Sequence, residues 1–391
     1  MPEHPAGSRL LNMPSAAAAI EVKHLRAFVA VADELNFGRA AARLYLSQPA
    51  LSRQIKALEQ LVGCQLLYRS THRVELTLAG EALLGAAVPL LTDLDDAITL
   101  TRSVGGDIDA RASQLWDEVI KDSKGSLSTM RDAYEGLTAQ FPIPSGTVVR
   151  PVQADGVPAL VVAPEPGRAP TILHLHGGGY ITGSAYGYRP LAGALAAATG
   201  AAVLVPDYRL APEHPFPAAL EDATRTYRWL LDQGTAPEHL TVSGDSAGGG
   251  LAVSLLLKLK QEGLPQPGRA VLLCPSVIIM DGRGGSPIAH WLSLYIGDHP
   301  RTDPLLNILE ADLSGLPPIL VQSGTDDTVI HETRRLVDHA RDQGLNVRFD
   351  LYPIGSHVFH LFWSFLPEAA DALEQIATFI SPTTDAKAEA S

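Results

Sequence analysis

The sequence predicts a multidomain chain. A small, helix-rich unit with a two-stranded wing and a long helix comes first. A larger α/β unit follows, built on a doubly wound, mostly parallel sheet. Three observations predict this. Apolar residues recur at helical spacing over 23–62. From about residue 171, apolar runs of strand length alternate with helix-length amphipathic runs, the pattern of parallel strands joined by crossover helices. Between the two regimes stands Gly105-Gly106-Asp107, which reads as a linker. With 391 residues, 46% of them hydrophobic, the chain is long enough for a core in each unit.

In the first unit, Leu25, Phe28, Val29, Ala32 and Leu35 form the apolar stripe of a helix over 23–35. Asn36 is placed to cap a second helix, Phe37 to Leu44. Ser47 caps a third, Pro49 sits in its first turn where a missing N–H costs little, and Gly63 ends it. Leu51, Ile55, Leu58 and Val62 face inward from that helix, leaving Gln48, Ser52, Arg53 and Lys56 outside. Residues 65–78 read as two short strands around Ser70-Thr71-His72-Arg73, and a long helix follows to about Val104, with Pro89 a point for a bend. Over 39–73 the basic residues Arg39, Arg43, Arg53, Lys56, Arg69 and Arg73 meet a single acid, Glu59, although the whole chain carries a net charge of −13. That balance argues against nonspecific nucleic-acid binding by the whole chain and leaves one local basic patch.

In the second unit, helical patterns near 109–121 and 126–140 precede a hairpin, Thr147–Gln153 and Leu160–Val162 around Asp155-Gly156. Strands Thr171–His176, Ala201–Val205, Thr241–Ser243, Ala270–Cys274, Ile319–Ser323 and Val347–Tyr352 then alternate with helices over 187–199, 216–232, 247–262, 331–343 and 367–380. The stretch between 274 and 319 reads as irregular. Residues 1–19 and 382–391 read as loose tails, with no signal-peptide core, and no run of about 20 apolar residues predicts a membrane span. Two cysteines, Cys64 and Cys274, fall in different units; no disulfide is expected, and two free thiols suit the cytoplasm. No Cys/His cluster has metal-ligand spacing, so no metal and no cofactor is expected.

Gly244-Asp245-Ser246-Ala247-Gly248 stands between a strand and a helix. A G-x-S-x-G there is a nucleophile elbow, a tight turn that lifts the serine out of the sheet. Serine is a weak nucleophile until an imidazole takes its proton, and a carboxylate holds that imidazole in the right tautomer. His357, just after the strand 347–352, and Asp327, just after the strand 319–323, supply these types in the order Ser246, Asp327, His357; Asp326 is the alternative acid. His176-Gly177-Gly178-Gly179-Tyr180 follows another strand, and acyl transfer needs backbone N–H donors for its oxyanion; Gly177, Gly178 and Ala247 are the expected donors. His176 is expected to shape that turn, Arg209 and Glu213 to form a buried structural pair, and Cys274 to be a buried small residue.

These motifs, with Pro206-Asp207-Tyr208-Arg209-Leu210-Ala211-Pro212-Glu213, resemble the hormone-sensitive-lipase-like branch of the α/β-hydrolases over about 109–381. The resemblance implies a serine carboxylesterase for short-chain esters or lactones, no metal, and a helical cap over the acyl pocket. Segment 276–300 is shorter than is usual there by about one helix, with Gly282, Gly284 and Gly285 in its place. Residues 23–81, with Phe28, Phe37, Ala40, Ala41, Leu44, Ser47, Gln48, Pro49, Ala50, Ser52, Ile55, Leu58, Glu59, Gly63, Leu66, Arg69, Leu76, Thr77, Gly80 and Glu81, resemble the winged helix-turn-helix of LysR-type transcriptional regulators. That resemblance implies Gln48, Ser52, Arg53 and Lys56 facing the major groove of double-stranded DNA, Arg69 and Arg73 at phosphates, and a homodimer through the long helix. The expected division is a tail (1–19), a DNA-binding domain (20–81), a linker and dimerisation helix (82–106), a helical cap (107–146), a hydrolase domain (147–381) and a tail (382–391). The first reading is an active esterase fused to a DNA-binding domain. A second is a transcription regulator that uses the hydrolase domain as a ligand sensor, and a third a hydrolase carrying an idle passenger.

Overall fold

The apolar stripes of the first unit fold as α1 (Val22–Glu34), α2 (Phe37–Arg43) and α3 (Gln48–Val62). The computed structural model describes residues 20–44, 46–69, 74–122, 126–277 and 287–381. Ser47 caps α3 by accepting a hydrogen bond from Ala50 N, and Gly63 closes the helix in the left-handed region at φ 81°. Phe28 and Val31 from α1, Ala40 from α2, and Leu51, Ile55 and Leu58 from α3 are buried together. β1 (Leu67–Arg69) and β2 (Val74–Leu76) pair antiparallel as the wing. Glu59 ties that wing to α3 by accepting from Leu66 N and Leu67 N at 3.1 and 3.3 Å.

α4 (Leu78–Asp122) runs on through Gly105-Gly106-Asp107. The break in the chain's helix expected there, and the separate helix expected over 109–121, are therefore corrected to one helix. A glycine costs a helix about 1 kcal/mol relative to alanine, a penalty that does not by itself end a helix. The chain divides into two compact units between Gly106 and Asp107, inside this helix.

In the second unit, α5 (Leu127–Ala139) is capped by Ser126. β3 (Val148–Ala154) and β4 (Val157–Ala163) form the hairpin, turning at Asp155 and Gly156 with φ of 50° and 79°. β5 (Pro170–Leu175), β6 (Ala202–Pro206), β7 (Thr241–Asp245), β8 (Arg269–Leu273), β9 (Ile319–Gly324) and β10 (Val347–Tyr352) complete an eight-stranded sheet in the order β10-β9-β8-β7-β5-β6-β4-β3. It is parallel from β10 to β6 and antiparallel where β4 joins β6 and β3. One apolar core collects α7 (Ala218–Asp232), α8 (Ala247–Gln261) and α10 (Ile330–Asp342); the other collects α6 (Arg189–Thr199) and α11 (Pro367–Ile380). The sheet is thus covered on both faces, as its near-continuous apolar strands require. From β5 the chain first adds β6 on one side and then β7 on the other, so a crevice opens beyond the carboxyl ends of β5 and β7.

α9 (Pro287–Ile296) lies where an irregular segment was expected. Its sequence, Pro-Ile-Ala-His-Trp-Leu-Ser-Leu-Tyr-Ile, is apolar nearly all round, so no amphipathic stripe marks it. Gly282, Gly284 and Gly285 lie outside the described residues.

Candidate active site

Ser246 sits in the turn from β7 into α8 with φ 50° and ψ −121°, a backbone conformation that side-chain-bearing residues rarely adopt. The turn closes only because its flanks lack side chains. A Cβ on Gly244 would stand 2.2 Å from the Gly248 carbonyl oxygen, and one on Gly248 would stand 2.0 Å from that of Leu175.

The loops after β9 and β10 bring the other two residues to this serine. His357 Nε2 is 2.8 Å from Ser246 Oγ, and Nδ1 is 2.9 and 3.1 Å from the two Asp327 oxygens. An ionised carboxylate only accepts hydrogen bonds, so Nδ1 carries the imidazole proton and Nε2 is left to accept from the serine hydroxyl. The Asp327 side chain is fully buried and that of His357 is 20% exposed. Burial opposes the charge on Asp327, yet His357, the Val329 N–H at 2.9 Å and the Cys274 thiol together hold its carboxyl below the ordinary range. Burial likewise opposes an imidazolium at His357; the Asp327 carboxylate, with Asp245 and Glu332 beyond it, more than offsets this and raises the imidazole above its usual value. Asp326 instead accepts from Thr325 Oγ1, and the buried His360 bonds Gln322 Oε1.

The expected oxyanion donors need one correction. Gly177 N–H is already spent: it donates to Asp245 Oδ1 at 2.9 Å and lies 3.1 Å from the Tyr188 hydroxyl, in the interior. Tyr188 in turn donates to Asp245 Oδ2 at 2.8 Å, and its hydroxyl lies 2.7 Å from that of Tyr134. Gly178, Gly179 and Ala247 line the pocket beside Ser246, and their N–H groups have no partner among the described residues. Gly179, not among the expected donors, offers a free N–H there where Gly177 does not. Gly178 adopts φ 111°, and a Cβ on it would stand 2.3 Å from the Thr182 carbonyl oxygen.

The pocket holds about 420 Å³ and is walled mainly by apolar groups, among them Trp116, Val119, Met130, Tyr134, Ile181, Leu292 and Val329. Leu292 comes from α9, so the unforeseen helix contributes a wall. Arg131 on α5 anchors the helix bearing Met130 and Tyr134, with a forked pair to Glu213 at 2.8 and 2.7 Å and bonds to the Ile181 and Ala211 carbonyls. Glu213 therefore pairs with Arg131, while Arg209 pairs with Asp222 and Glu221; the expected Arg209–Glu213 pair does not form. His176 bonds the Gly177 carbonyl at 2.8 Å and stacks on Tyr208. Cys274 Sγ, Asp327 and His357 offer donor atoms within 4.8 Å of one another, the one such group among the described residues. Burial, with the Asp327 carboxylate nearby, pushes the Cys274 thiol well up, so it stays protonated.

In the first unit, Gln48, Arg53 and Lys56 are exposed on α3 and Ser52 is half-buried. Arg39 is neutralised by Glu34 at 3.0 Å and Arg43 by Asp33 at 3.1 Å, whereas Arg53 and Lys56 have no ion pair among the described residues. Arg69 ends β1, and Arg73 lies outside the described residues. No helix among the described residues is long and apolar enough to cross a membrane.

Two family models match this chain. Residues 172–361 match the alpha/beta hydrolase fold, and residues 22–81 match the bacterial regulatory helix-turn-helix protein, lysR family. An acetyl-hydrolase of Streptomyces hygroscopicus is 36% identical over 286 residues, spanning 66% of this chain and 91% of that protein. The crystal structure of an esterase from the bacterial hormone-sensitive lipase family superposes with a TM-score of 0.64 at 33% identity, covering 69% of this chain and 96% of that one. At the other end, an uncharacterized HTH-type transcriptional regulator of Escherichia coli strain K12 is 58% identical over 78 residues, 20% of this chain and 26% of that regulator. The chain belongs to the hormone-sensitive-lipase-like α/β-hydrolases and carries a LysR-type helix-turn-helix domain ahead of the hydrolase fold.

Proposed function

We propose that this carboxylic ester hydrolase cleaves short-chain carboxylic esters or lactones through Ser246, His357 and Asp327, in a chain whose first unit binds double-stranded DNA. One observation carries the reading: His357 Nε2 stands 2.8 Å from Ser246 Oγ while Nδ1 is held by buried Asp327, at the mouth of an apolar pocket. Ser246 Oγ attacks the ester carbonyl as its proton passes to Nε2. The oxyanion meets the N–H groups of Gly178, Gly179 and Ala247. Collapse of the tetrahedral intermediate breaks the bond to the alkoxy oxygen, which takes the proton from Nε2 and leaves as the alcohol. Water, deprotonated by the same nitrogen, then releases the acid from Ser246. The pocket volume, about 420 Å³, suits small acyl and alcohol groups.

For the first unit, Arg53 and Lys56 are offered to DNA by the helix that such domains place in the major groove, with Gln48 and Ser52 beside them. Pairing of two chains through α4, as the resemblance to such regulators implies, belongs to the same reading. The test is hydrolysis of p-nitrophenyl acetate and butyrate by the wild type and Ser246→Ala. Turnover lost in the variant supports the esterase. No turnover from folded wild type refutes it and favours the ligand-sensing regulator.

A further inference from the structure

The loop that presents His357 is gripped from outside by one face of a helix. Asp109, Ser113 and Trp116 lie on α4 at spacings of four and three residues, which stacks them along one side. All three hold Gly355-Ser356-His357. Gly355 N donates to Asp109 Oδ2 at 3.3 Å, and Ser356 Oγ donates to Asp109 Oδ1 at 3.0 Å. Ser113 Oγ lies 3.1 Å from Ser356 Oγ, and Trp116 Nε1 donates to the His357 carbonyl at 2.7 Å. The next residue, Val358, is buried with φ 46°, a left-handed conformation that a β-branched residue adopts only when its surroundings impose it. The loop does not hold this shape by local preference, and the stripe on α4 supplies contacts to the three residues just before it.

We propose that Asp109, Ser113 and Trp116 are positioning residues that fix His357 against Ser246, with Trp116 serving at once as pocket wall and as the tether of the histidine carbonyl. The proposal rests on the reading of His357 as the general base. Phenylalanine at position 116 keeps a ring in the wall and removes only the N–H, so Trp116→Phe separates the two roles.

The experiment is steady-state kinetics with p-nitrophenyl butyrate, alongside proton NMR of the downfield resonance from the Asp327–His357 hydrogen bond, on the full chain. For Trp116→Phe, kcat falls about tenfold while KM stays within about twofold, the equivalent of one net hydrogen bond of about 1.4 kcal/mol, and the resonance shifts or broadens. Asp109→Ala loses a similar factor, and Asp109→Asn, which keeps an acceptor oxygen, recovers most of it. A raised KM at unchanged kcat with the resonance in place makes the indole a wall only and overturns the proposal. Should the wild type turn over no ester, the resonance decides by itself. Its movement in Trp116→Phe upholds the positioning while the esterase reading falls, and its constancy overturns the positioning too.

Discussion

Replacing Asp327 with asparagine removes one charge from the site and leaves its shape. On the proposed mechanism Asp327, 2.9 Å from Nδ1, does two things for His357: it fixes the proton there, and it stabilises the imidazolium formed during attack. A pair of unit charges about 4 Å apart attracts by about 4 kcal/mol at an effective dielectric constant of about 20. Losing that at the transition state corresponds to about a 10³-fold fall in kcat/KM, since each 1.36 kcal/mol is about tenfold. The pH profile should move as well. His357 acts only when neutral, so kcat/KM rises with pH through its raised folded value, above the ordinary 6.5. In Asp327→Asn the burial that opposes the charge loses its largest offset, with Asp245 and Glu332 left, and the limb moves down. The linkage signs follow. His357, raised on folding, adds stability that is complete below its unfolded value and lost as pH rises through the folded one. Asp327, depressed on folding, adds stability present above its unfolded value and lost as pH falls through the folded one. The assay is kcat/KM for p-nitrophenyl acetate from about pH 5 to about pH 9. An unmoved limb, or a loss smaller than about tenfold, refutes the role of Asp327.

Gly178→Ala forces a Cβ to within 2.3 Å of the Thr182 carbonyl at φ 111°, so kcat should fall by about 10² or more as an oxyanion donor is displaced; kcat within threefold of wild type would remove Gly178 from that role. Tyr188→Phe strands Asp245 Oδ2 and the Tyr134 hydroxyl in the interior, a cost of about 1–3 kcal/mol each, and calorimetry should show the hydrolase transition lowered by several degrees; an unchanged Tm would show that this network adds no stability. Arg53→Ala and Lys56→Ala should each weaken duplex DNA binding and reduce the slope of log affinity against log salt by about 1. A full slope in both variants would make these two side chains a solvated face.

What was legible in the sequence is what short-range chemistry encodes. α3 shows itself through Ser47, Pro49, an apolar stripe and Gly63, all within one segment. β7 and the elbow show themselves through an apolar run and a G-x-S-x-G in which a side chain on Gly244 would meet the Gly248 carbonyl, a clash within five residues. α9 escaped because a helix apolar on every side has no period to read. The false break at Gly105-Gly106 came from the same local logic, which weighs two glycines against a turn and cannot weigh them against the rest of a 45-residue helix.

Gly177, Glu213 and His357 mark where that logic ends. Each adjacent glycine in 177–179 has an equal claim as an oxyanion donor when only the sequence is known. The claim of Gly177 is cancelled by Asp245, 68 residues on, and by Tyr188, 11 residues on. Glu213 was given its near neighbour Arg209, whereas Arg131, 82 residues back, makes the forked pair. The grip on His357 comes from a helix more than 240 residues earlier. A motif names the atoms that can do chemistry; which of them remain free to do it depends on where every buried donor and acceptor finds its partner. In this fold, partners far apart in sequence spend one oxyanion candidate and hold the loop of His357. The site's chemistry is therefore local in its residue types and long-range in its geometry.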